Sequence, residues 1–240
     1  MNFTPALQLT VKLILTFLTT FSLIQCTNTE PEVPPASSTE SFRYLALGDS
    51  YTIGTGIDPV NNYPHQLTDS LAQRNFPIDT TAIIATNGWT TTDLLLGIED
   101  AQPDSSYDMV SLLIGVNNQY QGLEIELYEE EFRVLLEQAI AFAGGNIQNV
   151  WVLSIPNYGV TPFAQSRDTA RIAEEIEIYN NIAHNISQEY GVSFVDITPI
   201  SELAANDRGL LASDNLHPSA SMYAMWVEEM LPTVTKILRE

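Results

Sequence analysis

Residues 42–56 read F-R-Y-L-A-L-G-D-S-Y-T-I-G-T-G. An apolar run stops at Gly48-Asp49-Ser50, and a polar stretch carrying Gly54 and Gly56 follows. Near-continuous apolar strands are buried on both faces, as in parallel sheets, whereas strands with one wet face alternate. Gly, Asp and Ser are ordinary turn residues, each for its own backbone reason. The same tripeptide would also put a nucleophilic hydroxyl at the C-terminal edge of a parallel sheet, where open α/β folds place their sites. To choose between a turn and a nucleophile, the rest of the chain must supply a base, a group that orients it, and oxyanion donors.

Working outward, the pattern alternates. Residues 42–47 predict a strand and 63–74 a helix; 80–86 a strand and 91–101 a helix with Asp93 near its start. D-M-V-S-L-L-I (108–114) predicts a strand, and 124–142 a helix stopped by Gly144-Gly145. V-W-V-L-S-I (150–155) predicts a strand closed by Pro156, 167–190 a helix ended by Gly191, and V-S-F-V-D-I (192–197) a fifth strand. Pro218 is read as opening a final helix, because proline is tolerated at a first helical position. Strands alternating with helices imply one α/β/α domain, a parallel sheet covered on both faces. No internal repeat is visible.

Three histidines make the search for a base short. His65, beside Pro64, and His184, mid-helix in N-N-I-A-H-N-I-S, read as surface or packing residues. His217 lies in A-S-D-N-L-H-P with Asp214 three residues upstream. In a tight turn, D-x-x-H brings a carboxylate to the imidazole, fixing its tautomer and stabilising the imidazolium formed when a serine proton is taken. The competing reading is a polar helix start capped by Asp214 or Ser213. For the oxyanion, Gly88 follows the second predicted strand and Asn117 the third. A glycine N–H can approach closely and an asparagine amide can donate. Each alone is normal turn chemistry, but together three successive strands end in Ser, Gly and Asn, and D-x-x-H comes last.

The chain has 240 residues, 45% of them hydrophobic and 16% charged, a globular composition. Its 9 Lys+Arg against 30 Asp+Glu give a net charge of −21. A surface so acidic repels nucleic acid and anionic membrane faces, so neither is expected as a partner of the folded domain. One cysteine, Cys26, excludes an intrachain disulfide, and no Cys/His cluster suggests a metal; no cofactor is expected. L-I-L-T-F-L-T-T-F-S-L-I (13–24) is too short to span a bilayer comfortably and fits a signal-peptide core. Residues 27–40 are polar and proline-rich, a semi-extended linker reaching about 40 Å at roughly 3 Å per residue. L-I-Q-C (23–26) resembles a bacterial lipobox, in which the cysteine is lipidated and becomes the mature N-terminus. Leu23 and Cys26 match it, and Gln25 stands where a small residue is usual. An ordinary cleaved leader and an uncleaved anchor are the alternatives.

The order G-D-S, then Gly, then G-x-N, then D-x-x-H-P resembles the SGNH hydrolases, also called GDSL-type lipases and esterases, over nearly all of residues 42–238. The resemblance implies a three-layer α/β/α sandwich with a five-stranded parallel sheet of flavodoxin-like order. It makes Ser50 nucleophile and first oxyanion donor, Gly88 and Asn117 further donors, and Asp214 and His217 the rest of a triad. The family usually has Asp after the asparagine; this chain has Asn118, losing a charge that would orient neighbouring loops. The resulting expectation is residues 1–25 as a lipoprotein-type signal peptide, 26–40 as a Cys26-anchored linker and 41–240 as a monomeric esterase domain, lipid-anchored at a bacterial envelope. Trp89, Tyr120, Leu123, Tyr158 and Phe163 are expected around the cleft from their strand-end positions. Acyl esters of the lysophospholipase type are the expected substrates, with a carbohydrate O-deacetylase and a non-catalytic glycan- or lipid-binding lipoprotein as alternatives.

Overall fold

The structure is a computed structural model that describes residues 41–239. The expected signal peptide, Cys26 and linker lie outside the described residues.

Five parallel strands form one sheet in the order β2-β1-β3-β4-β5: β1 Phe42–Gly48, β2 Ile78–Ala85, β3 Met109–Leu113, β4 Val150–Leu153 and β5 Ser193–Val195. Helices α2 (Tyr63–Ala72) and α8 (Ala220–Ile237) pack together on one face. Helices α3 (Thr91–Ala101), α5 (Ile125–Phe142) and α6 (Thr169–Tyr190) cover the other. This is the doubly wound sandwich the sequence implies. Its three inner strands are almost wholly apolar because both faces are dry: Tyr44 to Leu47, Met109 to Leu113 and Val150 to Leu153 are all buried. The hydroxyls in this core are paired, the Tyr44 hydroxyl meeting Ser111 Oγ at 2.7 Å, whereas the indole nitrogens of Trp151 and Trp226 are buried without a partner among the described residues.

Several boundaries differ from the sequence reading. β2 begins two residues early, at Ile78. β4 stops at Leu153, and β5 keeps only three residues because Asp196 turns to accept from Ser154 Oγ (2.8 Å). Pro218 does not open α8; it bridges Leu211, and Ser219 caps the helix by accepting from the Met222 N–H. Short helices α1 (Ser50–Ile53), α4 (Val116–Gln121) and α7 (Thr198–Glu202) have no counterpart in the sequence reading. Among the described residues no helix is long and apolar enough to cross a membrane.

The first crossover runs from β1 outward to β2, and the second returns past β1 to β3. That reversal opens a crevice beyond the C-terminal ends of β1 and β3, the place where such sheets hold ligands.

Candidate active site

Ser50 stands at that crevice because of how β1 ends. Asp49 caps α1, its Oδ1 accepting from the Tyr51 N–H at 2.9 Å, and Ser50 becomes the first helical residue. The Tyr51 carbonyl accepts from the Tyr223 hydroxyl of α8 at 2.8 Å, so the turn is tied to the last helix of the chain. Asp49 is fully buried; burial pushes its carboxyl up to about 7, against the pull of the Tyr51 N–H.

Asp214 and His217 share a tight turn. The Asp214 Oδ2 stands 2.6 Å from His217 Nδ1, while Oδ1 accepts from the Leu216 and His217 N–H groups, each at 3.0 Å. Because a carboxylate only accepts, Nδ1 carries the proton and Nε2 is left to face the crevice. Burial works against the Asp214 charge, yet the His217 ring and the two N–H groups outweigh it and hold the carboxyl below its ordinary range. The imidazole leans on the Tyr51 ring, centroids 5.3 Å apart.

Gly88 sits in the turn after β2 with φ +79°, a conformation that glycine adopts without a steric penalty. Asn117 lies in the first turn of α4, and its Nδ2 donates to the Trp89 carbonyl at 2.9 Å and stands 3.5 Å from Asp49 Oδ2. Ser50, Gly88, Asn117 and His217 line one cavity of about 210 Å³, with Asp214 behind His217. Neither Ser50 Oγ nor His217 Nε2 has a hydrogen-bond partner among the described residues; such contacts often tighten only around a substrate.

Of the five expected cleft residues, Tyr120, Tyr158 and Phe163 line this cavity. Trp89 and Leu123 do not. Leu123 belongs to a neighbouring groove. The Trp89 indole turns away into a notch at Gly97 of α3, where an added Cβ would come 2.2 Å from the ring. The backbone of Trp89, not its ring, serves the site, by holding the Asn117 amide. A glycine inside an apolar helix was the only signal of that notch. Among the described residues, no group of three His, Cys, Asp or Glu side chains is placed to hold a metal. His65 pairs with Asn62 (2.8 Å) and His184 lies against Phe194 (5.0 Å), both as packing residues away from the cavity.

Asn118 explains how the chain manages without the aspartate. Fully buried, its Oδ1 accepts from the Thr91 N–H (3.0 Å) and its Nδ2 donates to Thr91 Oγ1 (2.7 Å), fastening α4 to the start of α3. The Thr91 hydroxyl proton goes to Glu131. The orienting task is thus done by a neutral amide that donates where a carboxylate could only accept. In Asn118→Asp, the Thr91 hydroxyl cannot serve both acids, and one buried acceptor loses its donor. We predict a loss of about 1–3 kcal/mol, read as a lower thermal midpoint, with kcat within a few-fold of wild type. An unchanged midpoint would show that the Thr91 network carries no such constraint.

Residues 46–225 match the model of the GDSL-like Lipase/Acylhydrolase family, and the chain belongs to that family. It is a carboxylic ester hydrolase of the GDSL type. Among solved structures it is similar to TesA at 16% identity and a TM-score of 0.64, over 81% of this chain and 99% of that one. The psychrotrophic esterase EstA from Pseudoalteromonas sp., inhibited by monoethylphosphonate, matches at 15% identity and TM-score 0.62, covering 83% and 100%. Axe2, an acetylxylan esterase from Geobacillus stearothermophilus, matches at 20% identity and TM-score 0.61, covering 80% and 94%. At these identities the likeness is one of fold. Comparison with curated proteins finds no match.

Proposed function

We propose that this chain hydrolyses acyl esters through a Ser50–His217–Asp214 triad and an acyl-enzyme. The observation that carries the reading is the convergence of Ser50, His217, Gly88 and Asn117 on one cavity, with Asp214 bonded to the far side of the imidazole. Ser50 Oγ attacks the ester carbonyl while His217 Nε2 takes its proton, and Asp214 stabilises the imidazolium. The tetrahedral oxyanion receives the N–H groups of Ser50 and Gly88 and the side-chain amide of Asn117. Collapse expels the alcohol, protonated by His217. Water, deprotonated by the same imidazole, then attacks the acyl-serine and releases the carboxylic acid.

The walls of the cavity are apolar or aromatic, contributed by Val116, Tyr120, Tyr158, Phe163 and Leu216. At about 210 Å³ it falls below the usual range for drug-sized ligands, which favours a short acyl group. The same size supports the second reading, an O-deacetylase acting on carbohydrate, the class to which Axe2 belongs by name. A chain-length series of p-nitrophenyl esters, run beside lysophospholipid and acetylated xylan, separates the readings by product. Turnover of none of them would leave the non-catalytic binding protein as the remaining reading.

We also propose that Cys26 carries lipid and that residues 27–40 tether the domain to a membrane, because an apolar core, a cysteine and a proline-rich stretch follow one another in that order. One acyl chain binds membranes marginally and two hold stably. The full chain should fractionate with membranes and incorporate labelled palmitate, and Cys26→Ser should do neither. A mature protein starting unacylated at any other residue overturns the anchor and leaves the esterase reading intact.

A further inference from the structure

Asn117 and Tyr120 are three residues apart on α4 and so share a helix face. Asn117 lines the Ser50 cavity, and Tyr120 forms a wall of the same cavity. Tyr120 also lines a second groove of about 580 Å³, in which Leu123, Ile178 and Tyr179 stand beside the charged Asp168, Arg171 and Glu175. Tyr158 is the other wall residue common to both spaces. The two tyrosines are not equivalent. Tyr158 is 3% exposed and set in the core, whereas Tyr120 is 41% exposed.

What holds Tyr120 is a cluster of weak contacts and one cation. Its ring lies 6.0 Å from the rings of both Tyr158 and Phe163. The Arg167 guanidinium sits 4.5 Å over the Tyr120 ring and 5.5 Å from that of Phe163, and donates from Nη2 to the Tyr120 hydroxyl at 2.7 Å. The chain has 30 acidic residues for 9 Lys and Arg, yet among the described residues Arg167 forms no ion pair with any of them. Its charge and its planar donors are committed to the aromatic wall. Guanidinium groups stack on aromatic faces in this way and stabilise them by a cation–π attraction.

We propose that Tyr120, clamped by Arg167, is the partition that limits acyl length in this enzyme, closing the catalytic cavity off from the larger groove. The inference rests on the proposal that the Ser50 cavity takes the acyl group. Removing the ring joins the two spaces, so methylenes beyond the first few, excluded in the wild type, reach the apolar part of the groove at Leu123, Ile178 and Tyr179. Each methylene so buried is worth about fourfold in affinity. Tyr120 is therefore a specificity-determining residue, and Arg167 positions it without touching substrate.

The test is kcat/KM for p-nitrophenyl acetate, butanoate, octanoate and dodecanoate with the wild type, Tyr120→Ala and Arg167→Ala. A fluorophosphonate probe titrates the Ser50 hydroxyl in each, so that a misfolded variant is recognised and the comparison made per active site. Wild type should favour the two short esters. The octanoate-to-acetate ratio should rise about sixteenfold in Tyr120→Ala, the worth of two methylenes, and less, in the same direction, in Arg167→Ala. An active, probe-reactive Tyr120→Ala whose ratio stays within twofold of wild type overturns the partition alone, as does a wild type that already prefers octanoate. A wild type that hydrolyses no ester in the series removes the esterase proposal and the partition with it.

Discussion

Ser50→Ala is expected to abolish both ester turnover and covalent labelling. In the wild type a fluorophosphonate should react once per chain and only at Ser50, the serine that shares a cavity with the His217 imidazole, Gly88 and Asn117. Loss of the nucleophile in such a triad costs roughly 10⁶ in kcat, and loss of the histidine costs about as much, because the group acts as a unit and the effects do not add. His217→Ala should therefore match Ser50→Ala, and the double variant should be no worse than either. Asp214→Ala should cost less, about 10⁴, since the imidazole would keep its hydrogen-bonding ring and lose its orientation and counter-charge. Labelling that survives in Ser50→Ala would remove Ser50 as the nucleophile. A His217→Ala chain that keeps near-normal turnover would remove the base.

Asn117→Ala should lower kcat by about 10²–10³ with little change in KM, the usual loss for one oxyanion donor. The split follows from the proposed role, in which the amide meets charge that develops in the transition state and is weak in the bound ester. The Asn117 amide is held on the Trp89 carbonyl at 2.9 Å, so it is oriented before substrate arrives. A variant that raises KM and spares kcat would make Asn117 a substrate-binding residue and leave the oxyanion to the two backbone donors.

The chain announced its fold through local rules. β1, β3 and β4 are buried on both faces, which makes them apolar without alternation and sets them apart from helices by length. The site residues were legible for a related reason: a parallel sheet gathers its strand ends on one edge, so Ser50, Gly88 and Asn117 could be placed without knowing a single side-chain angle. His217 came from the D-x-x-H turn, whose hydrogen bonds are local. What escaped depends on direction in space. Trp89 and Tyr120 both follow strand ends, yet one ring turns into the Gly97 notch and the other walls the cavity. Nothing in their sequence neighbourhoods distinguishes those rotations, because the notch is supplied by a residue eight positions on. Helix α4 was missed because six residues are too few to display a helical period. β5 was overextended because V-D-I keeps an apolar pattern after the chain has left the sheet to bond Ser154.

The bond from the Tyr223 hydroxyl to the Tyr51 carbonyl spans 172 positions of sequence. A ribosome adding about 5–20 residues per second needs on the order of 10–30 s to travel between them. The four strands β2 to β5 are made in that interval, before the helix that steadies the Ser50 turn. Every nascent chain thus carries its serine for many seconds without a finished setting for it, and without the histidine, which is also translated late. On the proposed mechanism, the order of synthesis keeps Ser50 idle until the domain around it is nearly whole.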